Sequence, residues 1–420
     1  MSIFTVPAAR VGVVLVAFIA ILLGTVYNKI SVDNAAVAAL PVSWDAFSWA
    51  SGGKSEIIFK DDLTYCEDTL FDHQEGIALL SCDAGRGEWN TVMGTMYDPE
   101  PKGGIYIYDY KDEKKEVRHI TLVNFPESAD FHPLGINIYR EGDGPTRLFV
   151  ANHQRNGSTV DIFDISYSTG TATFLQSISD EDNQILSPNA IAPISYTSFY
   201  LTNDHRFIPR LNLPLNKLET FASLRLGWVT LVDFSSTSTS PQISQAANKI
   251  GFANGIVLTP TGKEVIVAST TRSSLQVYDR DTATNILRFR EEIPLTFYVD
   301  NLTFDESLGA SAFDTDGRFL RGLVAAGHPA VLRLVAVSHD PKNKVAPSWV
   351  VEVRKGEGAD AAPWSAIKEG VKSNYSVRTL YQSNGEHFSS SSTGAVDFKR
   401  GKLLVSGLYA KGMLEISWSV

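Results

Sequence analysis

Long helix-forming blocks are absent from this sequence of 420 residues. Tyr, Phe, Val, Thr and Ser are frequent instead, and only 20% of residues are charged against 44% apolar, a balance that favours an all-β protein. Clusters of Lys and Arg are missing as well. Net charge is −10, and the densest charged run, Lys111-Asp112-Glu113-Lys114-Lys115-Glu116, mixes its signs. It reads as a solvated turn, and no nucleic-acid partner is expected. Cysteine is scarce: Cys66 and Cys82 are the two. They flank a hairpin whose turn lies near Phe71 to Gly76, a placement compatible with a cross-strand disulfide in an oxidising compartment and equally with two buried free thiols.

Long apolar runs are lacking everywhere except near the start. Val11 to Tyr27 is uncharged and largely apolar for 17 residues, at the short end of what spans a bilayer. A cleaved signal peptide is the competing reading, because Ala35-Ala36-Val37-Ala38 supplies small residues. That cluster lies well beyond the apolar core, so residues 1–30 read as a retained signal-anchor helix, 31–54 as a linker and 55–420 as the body. Arg10 and the α-amino group precede the run and Lys29 follows it, which places the body in the lumen or outside the cell, secreted if the anchor is removed. The sequons Asn156-Gly-Ser158 and Asn374-Tyr-Ser376 suit that route. A third, Asn301-Leu-Thr303, falls at a strand start expected to be buried.

From about residue 55 a unit recurs. An apolar strand is followed by a polar turn or loop and then by a second strand, often ending in Asp. The pairs are Ile77–Cys82 with Gly104–Asp109, Leu148–Asn152 with Val160–Asp164, Phe199–Thr202 with Val229–Asp233, Val265–Ala268 with Leu275–Asp279, Leu323–Ala326 with Val331–Val335, and Leu403–Ser406 with Met413–Ile416. Six units at roughly blade spacing predict a six-bladed β-propeller, since a parallel α/β fold would need helical crossovers. One helix is expected in the body, near Leu211 to Leu226, and Ala361 to Val371 is ambiguous.

Polar residues with oxygen donors stand at the start of several apolar runs. These are Glu67 and Asp68 after Cys66, Asn189 before Ala190-Ile191, Asn254 before Gly255-Ile256, and Asp300-Asn301 within Val299 to Leu302. In a propeller the innermost strands line a central channel, so these donors would converge on one axis. A carboxylate entering an apolar strand requires neutralisation by a cation, an arginine or hydrogen bonds. Two carboxylates and three carboxamides suit Ca²⁺, which takes six to eight oxygens; zinc would call for His or Cys, and neither is grouped there. A calcium ion so held acts catalytically, by polarising a carbonyl or phosphoryl oxygen, or only ties blades together.

The motifs Cys66-Glu67-Asp68, Val150-Ala-Asn-His153, Thr202-Asn203-Asp204-His205, Gly251-Phe-Ala-Asn254-Gly255-Ile256, Val299-Asp300-Asn301 and Gly327-His328-Pro329, in this order, resemble the calcium-dependent paraoxonase/arylesterase family. The resemblance covers roughly residues 60–420 and extends to the hydrophobic N-terminus. It implies a six-bladed propeller with two channel calcium ions that hydrolyses small-molecule lactones, aryl esters and some phosphotriesters. It also implies that Glu67, Asn189, Asn254, Asp300 and Asn301 hold the catalytic calcium. A second, structural ion would use Asp68, the Ile136 carbonyl and an Asp after the matched Asn, where this chain has Ala190. The family's general-base histidine falls on Leu134, whereas the histidine that partners it is matched by His153. The family's partner for Cys66 lies near the C-terminus, where this chain reads Leu414-Glu415, leaving Cys82.

Water attacking a bound ester still needs a proton acceptor. His153 and Asp300 are the candidates, with His132, His205 and His328 behind them. The expectation is therefore a membrane-anchored, calcium-dependent hydrolase of esters or lactones. Its rival is a calcium-stabilised propeller that binds a ligand or protein without turnover. A propeller enzyme of the strictosidine-synthase-like type, which needs no such ligands, is a third reading.

Overall fold

The computed structural model describes residues 53–97, 102–180, 182–235, 240–356 and 374–420, together with Gly24 and Tyr27. The expected signal anchor, most of the expected linker and the ambiguous stretch Ala361 to Val371 lie outside these residues. Among the described residues no helix is long and apolar enough to cross a membrane.

Six antiparallel sheets form the body, as the repeat predicts. Their innermost strands are Cys66–Asp72, Pro133–Tyr139, Pro188–Ser195, Ala253–Leu258, Tyr298–Phe304 and Ser391–Asp397, defining blades one to six in chain order. The sequence hairpins are the second and third strands of every blade but the fifth. Ile77–Cys82, Glu264–Ser269 and Leu323–His328 are buried along their whole length, because both faces of a blade pack on neighbours. Blade two carries a fifth strand, Thr121–Val123, parallel to Thr171–Ile178. Blade six takes its outer strand from the other end of the chain: Lys54–Ile58 pairs with Met413–Ser417 and closes the ring.

The core is a set of layers between blades. Between blades four and five, Val257, Ile266 and Val277 pack against Phe297, Val299, Leu302 and Trp349. Between six and one, Ala395, Leu404 and Met413 meet Phe71, Ala78 and Leu80. Near the axis the innermost strands approach so closely that side chains are excluded. A methyl group at Gly255 would stand 2.6 Å from the Leu302 nitrogen and 2.7 Å from Asn301 Cα.

Two expectations need correction. The fifth hairpin does not pair Leu323–Ala326 with Val331–Val335. Its partner strand is Ser348–Lys355, and residues Val331–His339 form a helix, labelled α2, that buries Leu334, Val337 and Ser338 at helical spacing. The other helix, α1, runs Pro209–Phe221 rather than Leu211 to Leu226. It starts on a proline suited to its first turn, bends at Asn212 ahead of Pro214, and ends before Ser223, whose φ is 54°.

Cys66 and Cys82 are disulfide-bonded, joining the innermost strand of blade one to its neighbour. The bridge closes a loop with a sequence separation of 16. Replacing both by serine is expected to lower the unfolding free energy by about 3 kcal/mol, read as an earlier urea midpoint with the native β-sheet spectrum retained.

Candidate functional site

Each innermost strand begins with a break in its ladder. The register shifts between Cys66 and Asp68, Pro188 and Ile191, Ala253 and Ile256, Val299 and Leu302, and Ser391 and Gly394. In blade two it shifts opposite Val150 and Asn152, across Leu134 and Gly135. A bulge interrupts strand alternation and re-aims side chains. These six bulges hold Glu67, Leu134, Asn189, Asn254, Asp300 with Asn301, and Ser392 with Thr393, so one bulge alone presents no oxygen-bearing side chain.

The structure brings the five expected ligands together. Glu67, Asn189, Asn254 and Asp300 line one cavity, and Asn301 Nδ2 donates to Glu67 Oε1 at 2.7 Å and to Thr393 Oγ1 at 3.0 Å. Asn189 Nδ2 lies 3.4 Å from Asp204 Oδ2, and His328 Nε2 lies 2.8 Å from Asp300 Oδ2. Four buried oxygens of this set are left without a hydrogen-bond partner among the described residues: Glu67 Oε2, Asn189 Oδ1, Asn254 Oδ1 and Asn301 Oδ1. Burial first, and then the charges of Asp68 and Asp300, push the Glu67 carboxyl well above the usual range. Buried, like-charged and short of donors, this all-oxygen set fits a hard divalent cation.

The residues expected at a second ion behave differently. Asp68 Oδ2 accepts the Ile136 N–H at 2.9 Å, while its Oδ1 accepts from Thr69 N–H at 2.8 Å and Thr393 O–H at 3.0 Å. Asp68 and Ile136 thus meet through a hydrogen bond. Burial raises the Asp68 carboxyl to about 7. Ala190 adds no side-chain oxygen; its N–H donates to Thr202 Oγ1 at 2.9 Å. The donors present fit one cation and not two.

Leu134 lines the cavity. His153 is buried with both ring nitrogens engaged, Nδ1 with Thr91 Oγ1 and Nε2 with Pro188 O at 2.7 Å. Burial holds its pKa down at about 4, so it is neutral, accepting at Nδ1 and donating from Nε2. His132 Nδ1 bonds Asp83 Oδ2 at 2.9 Å, leaving Nε2 without a partner. His205 spans Asp204 at 2.8 Å and Thr220 of α1 at 2.7 Å, linking that helix to the group that holds Asn189. His328 lines the cavity with Nδ1 unpartnered.

Sequence reasoning missed Thr393, Asp204, Asp83 and the helical walls. Thr393 carries a usable signal, since Ser391-Ser-Thr-Gly394-Ala-Val396 repeats the pattern of Ala253-Asn-Gly255-Ile-Val257. The cavity walls are apolar, with Val92, Met93, Phe221, Phe252, Leu334 and Val335. A second cavity opens at the other end of the channel, where Asp68 and Asn301 face Asp72 and Arg140. There His73 Nδ1 stands 3.7 Å from Asp305 and 3.5 Å from Asp397. Those carboxylates already accept bonds from Ser307, Phe398, Tyr110 and Arg400, so the group is a clasp between blades one, five and six.

The arylesterase family model matches residues 92–414. Human serum paraoxonase/arylesterase 2 is 28% identical over 317 residues, 76% of this chain and 77% of that protein. Rabbit (Oryctolagus cuniculus) serum paraoxonase/lactonase 3 is 25% identical over 315 residues, with 75% and 77% covered. Among solved structures, the PQQ domain of pyranose dehydrogenase from Coprinopsis cinerea superimposes with a TM-score of 0.50 at 10% identity, over 88% of this chain and 96% of that one, a likeness of fold alone.

Calcium added to chelator-treated protein is expected to raise the thermal midpoint. In Asn254→Ala the midpoint without calcium should stay close to wild type, because Oδ1 bonds none of the described residues, while the calcium-induced rise shrinks or vanishes. Differential scanning fluorimetry reads both.

Proposed function

The chain belongs to the arylesterase family, and from that premise we propose that it is a calcium-dependent hydrolase of small-molecule esters or lactones. The observation that carries the calcium assignment is the set of four partnerless oxygens at the cavity floor. Glu67, Asn189, Asn254, Asp300 and Asn301 would hold the ion. When bound, calcium supplies the positive charge that polarises a carbonyl or phosphoryl oxygen and offsets the charge developing there.

The remaining work falls to this chain's side chains. Asp300 takes the proton of the attacking water, or attacks the ester itself, with His328 Nε2 held against its Oδ2. His153 is assigned positioning: its bonds to Thr91 and Pro188 fix the segment that carries Asn90, Val92 and Met93 to the strand that carries Asn189. The apolar walls receive the acyl or lactone chain and exclude water. Asp68 and Ile136 are assigned the fixing of blade one to blade two beneath the ion.

The body is proposed to face the lumen or the exterior, tethered to a membrane by residues 1–30. The disulfide supports an oxidising compartment. Asn156 and Asn374 are exposed and open to glycosylation, whereas the buried Asn301 is not. A binding propeller without turnover is the second reading, favoured by Leu134 and by the engagement of both His153 nitrogens.

Hydrolysis of phenyl acetate and of a medium-chain lactone decides between them. Activity should vanish with chelator, return with calcium, and fall at least a hundredfold in kcat for Asp300→Asn. His153→Gln should change KM and thermal stability more than kcat. A folded protein that binds calcium and turns over neither compound sinks the hydrolase reading and leaves the binding propeller.

A further inference from the structure

The wall of the upper cavity contains one lysine or arginine among its described residues, Lys217 of α1. The side chain is partly buried, and Nζ donates to the Met93 carbonyl at 2.9 Å. No described carboxylate lies within ion-pair distance of it. Arg140, Arg290 and Lys402 are ion-paired, with Asp72 and Glu75, with Glu264 and Asp279, and with Glu415, whereas Arg86 and Arg210 rest like Lys217 on backbone carbonyls but do not line this cavity. A desolvated ammonium that meets only a carbonyl keeps its charge uncompensated. Burial lowers its pKa, the signature of a charge short of compensation.

The floor of the same cavity does not supply that compensation. Its two carboxylates, Glu67 and Asp300, belong to the donor set that fits a dication, so the loaded floor is near neutral and Lys217 remains as net positive charge in an apolar vestibule. A structural tether to Met93 would need only a donor; it would not need a full charge in a cavity also lined by Val92, Phe221 and Leu334. A ligand carboxylate would complete the ammonium's hydrogen bonds and offset its charge.

Resting on the hydrolase reading above, we infer that Lys217 recognises a carboxylate on the substrate. The preferred substrates are esters or lactones with an anionic group on the chain that extends from the reacting carbonyl up the cavity wall. Hydrolysis is unchanged in its chemistry: water adds to the acyl carbon, the alkoxide or phenoxide leaves with the proton, and the distal carboxylate stays bound to Lys217 throughout.

The test uses the full-length, calcium-loaded protein and two chromogenic esters of similar length, mono-4-nitrophenyl glutarate and 4-nitrophenyl pentanoate. The ratio of kcat/KM for the anionic ester over the neutral one should exceed ten in wild type and fall at least tenfold in Lys217→Met, mainly through KM. Lys217→Arg should retain most of the ratio, and added salt should erode it. A wild-type ratio near one, or an equal loss on both esters in Lys217→Met, overturns the assignment and leaves Lys217 as a tether. If neither ester is hydrolysed, the hydrolase reading fails by itself. Calorimetric titration of glutarate then decides Lys217 separately: binding to wild type that Lys217→Met abolishes supports it, and no binding to wild type removes it.

Discussion

Two carboxylates buried at the axis of a closed ring must be neutralised from inside the ring. Glu67 and Asp300 reach the axis from blades one and five, and unscreened repulsion there would cost several kcal/mol. The surrounding structure answers this constraint. Bulges at the blade starts turn side chains inward that regular alternation would have spread over two faces. Asn301 and His328 donate to the carboxylates, Thr393 bridges Asn301 and Asp68, and Ser392 and Ser406 both donate to the Glu67 carbonyl, at 2.6 and 3.1 Å. Even so, four oxygens remain unserved among the described residues.

Much of this was legible in the sequence because a propeller repeats itself. Apolar second strands and alternating third strands announce each blade, and a polar residue at the head of an apolar run stands out against that background. What was not legible depends on contacts between distant segments. Thr91 and His153, 62 positions apart, lock one imidazole; Asp83 and His132, 49 apart, orient another. The bulges themselves leave little trace, which is why the sixth, with Ser392 and Thr393, went unread. Val331 to Val335 misleads for a different reason: Val-Leu-Arg-Leu-Val is a short apolar run that suits a strand as well as a helix, and it forms a helix that docks through Leu334, Val337 and Ser338. The cysteines stayed ambiguous until the register placed Cys66 opposite Cys82.

Two of the departures that the resemblance implies fall on one side of the channel. Leu134 and Ala190 both replace expected polar residues, and both lie in the innermost strands of blades two and three. A methyl group at Gly135, beside Leu134, would collide with the Asn189 carbonyl, so these two strand starts touch directly. The polar work is correspondingly concentrated on blades one, five and six, where Glu67, Asn301 and Thr393 are mutually bonded and Asp300 is held by His328. Asn189 and Asn254 contribute oxygens from the other side, and only Asn189 has a described side-chain partner, the distant carboxylate of Asp204.

The pairing of Lys54–Ile58 with Met413–Ser417 sets an order of events during biosynthesis. Of the described strands Lys54–Ile58 is the first to be made and among the last to find its place, because its partner is the last of them to be made. Until then blade six has no outer strand, the layer between blades six and one is open, and Lys54–Ile58 presents an unpaired edge. Nascent chains would need that edge shielded, for example by a chaperone, and a chain released early would have neither its closing strand nor a finished channel.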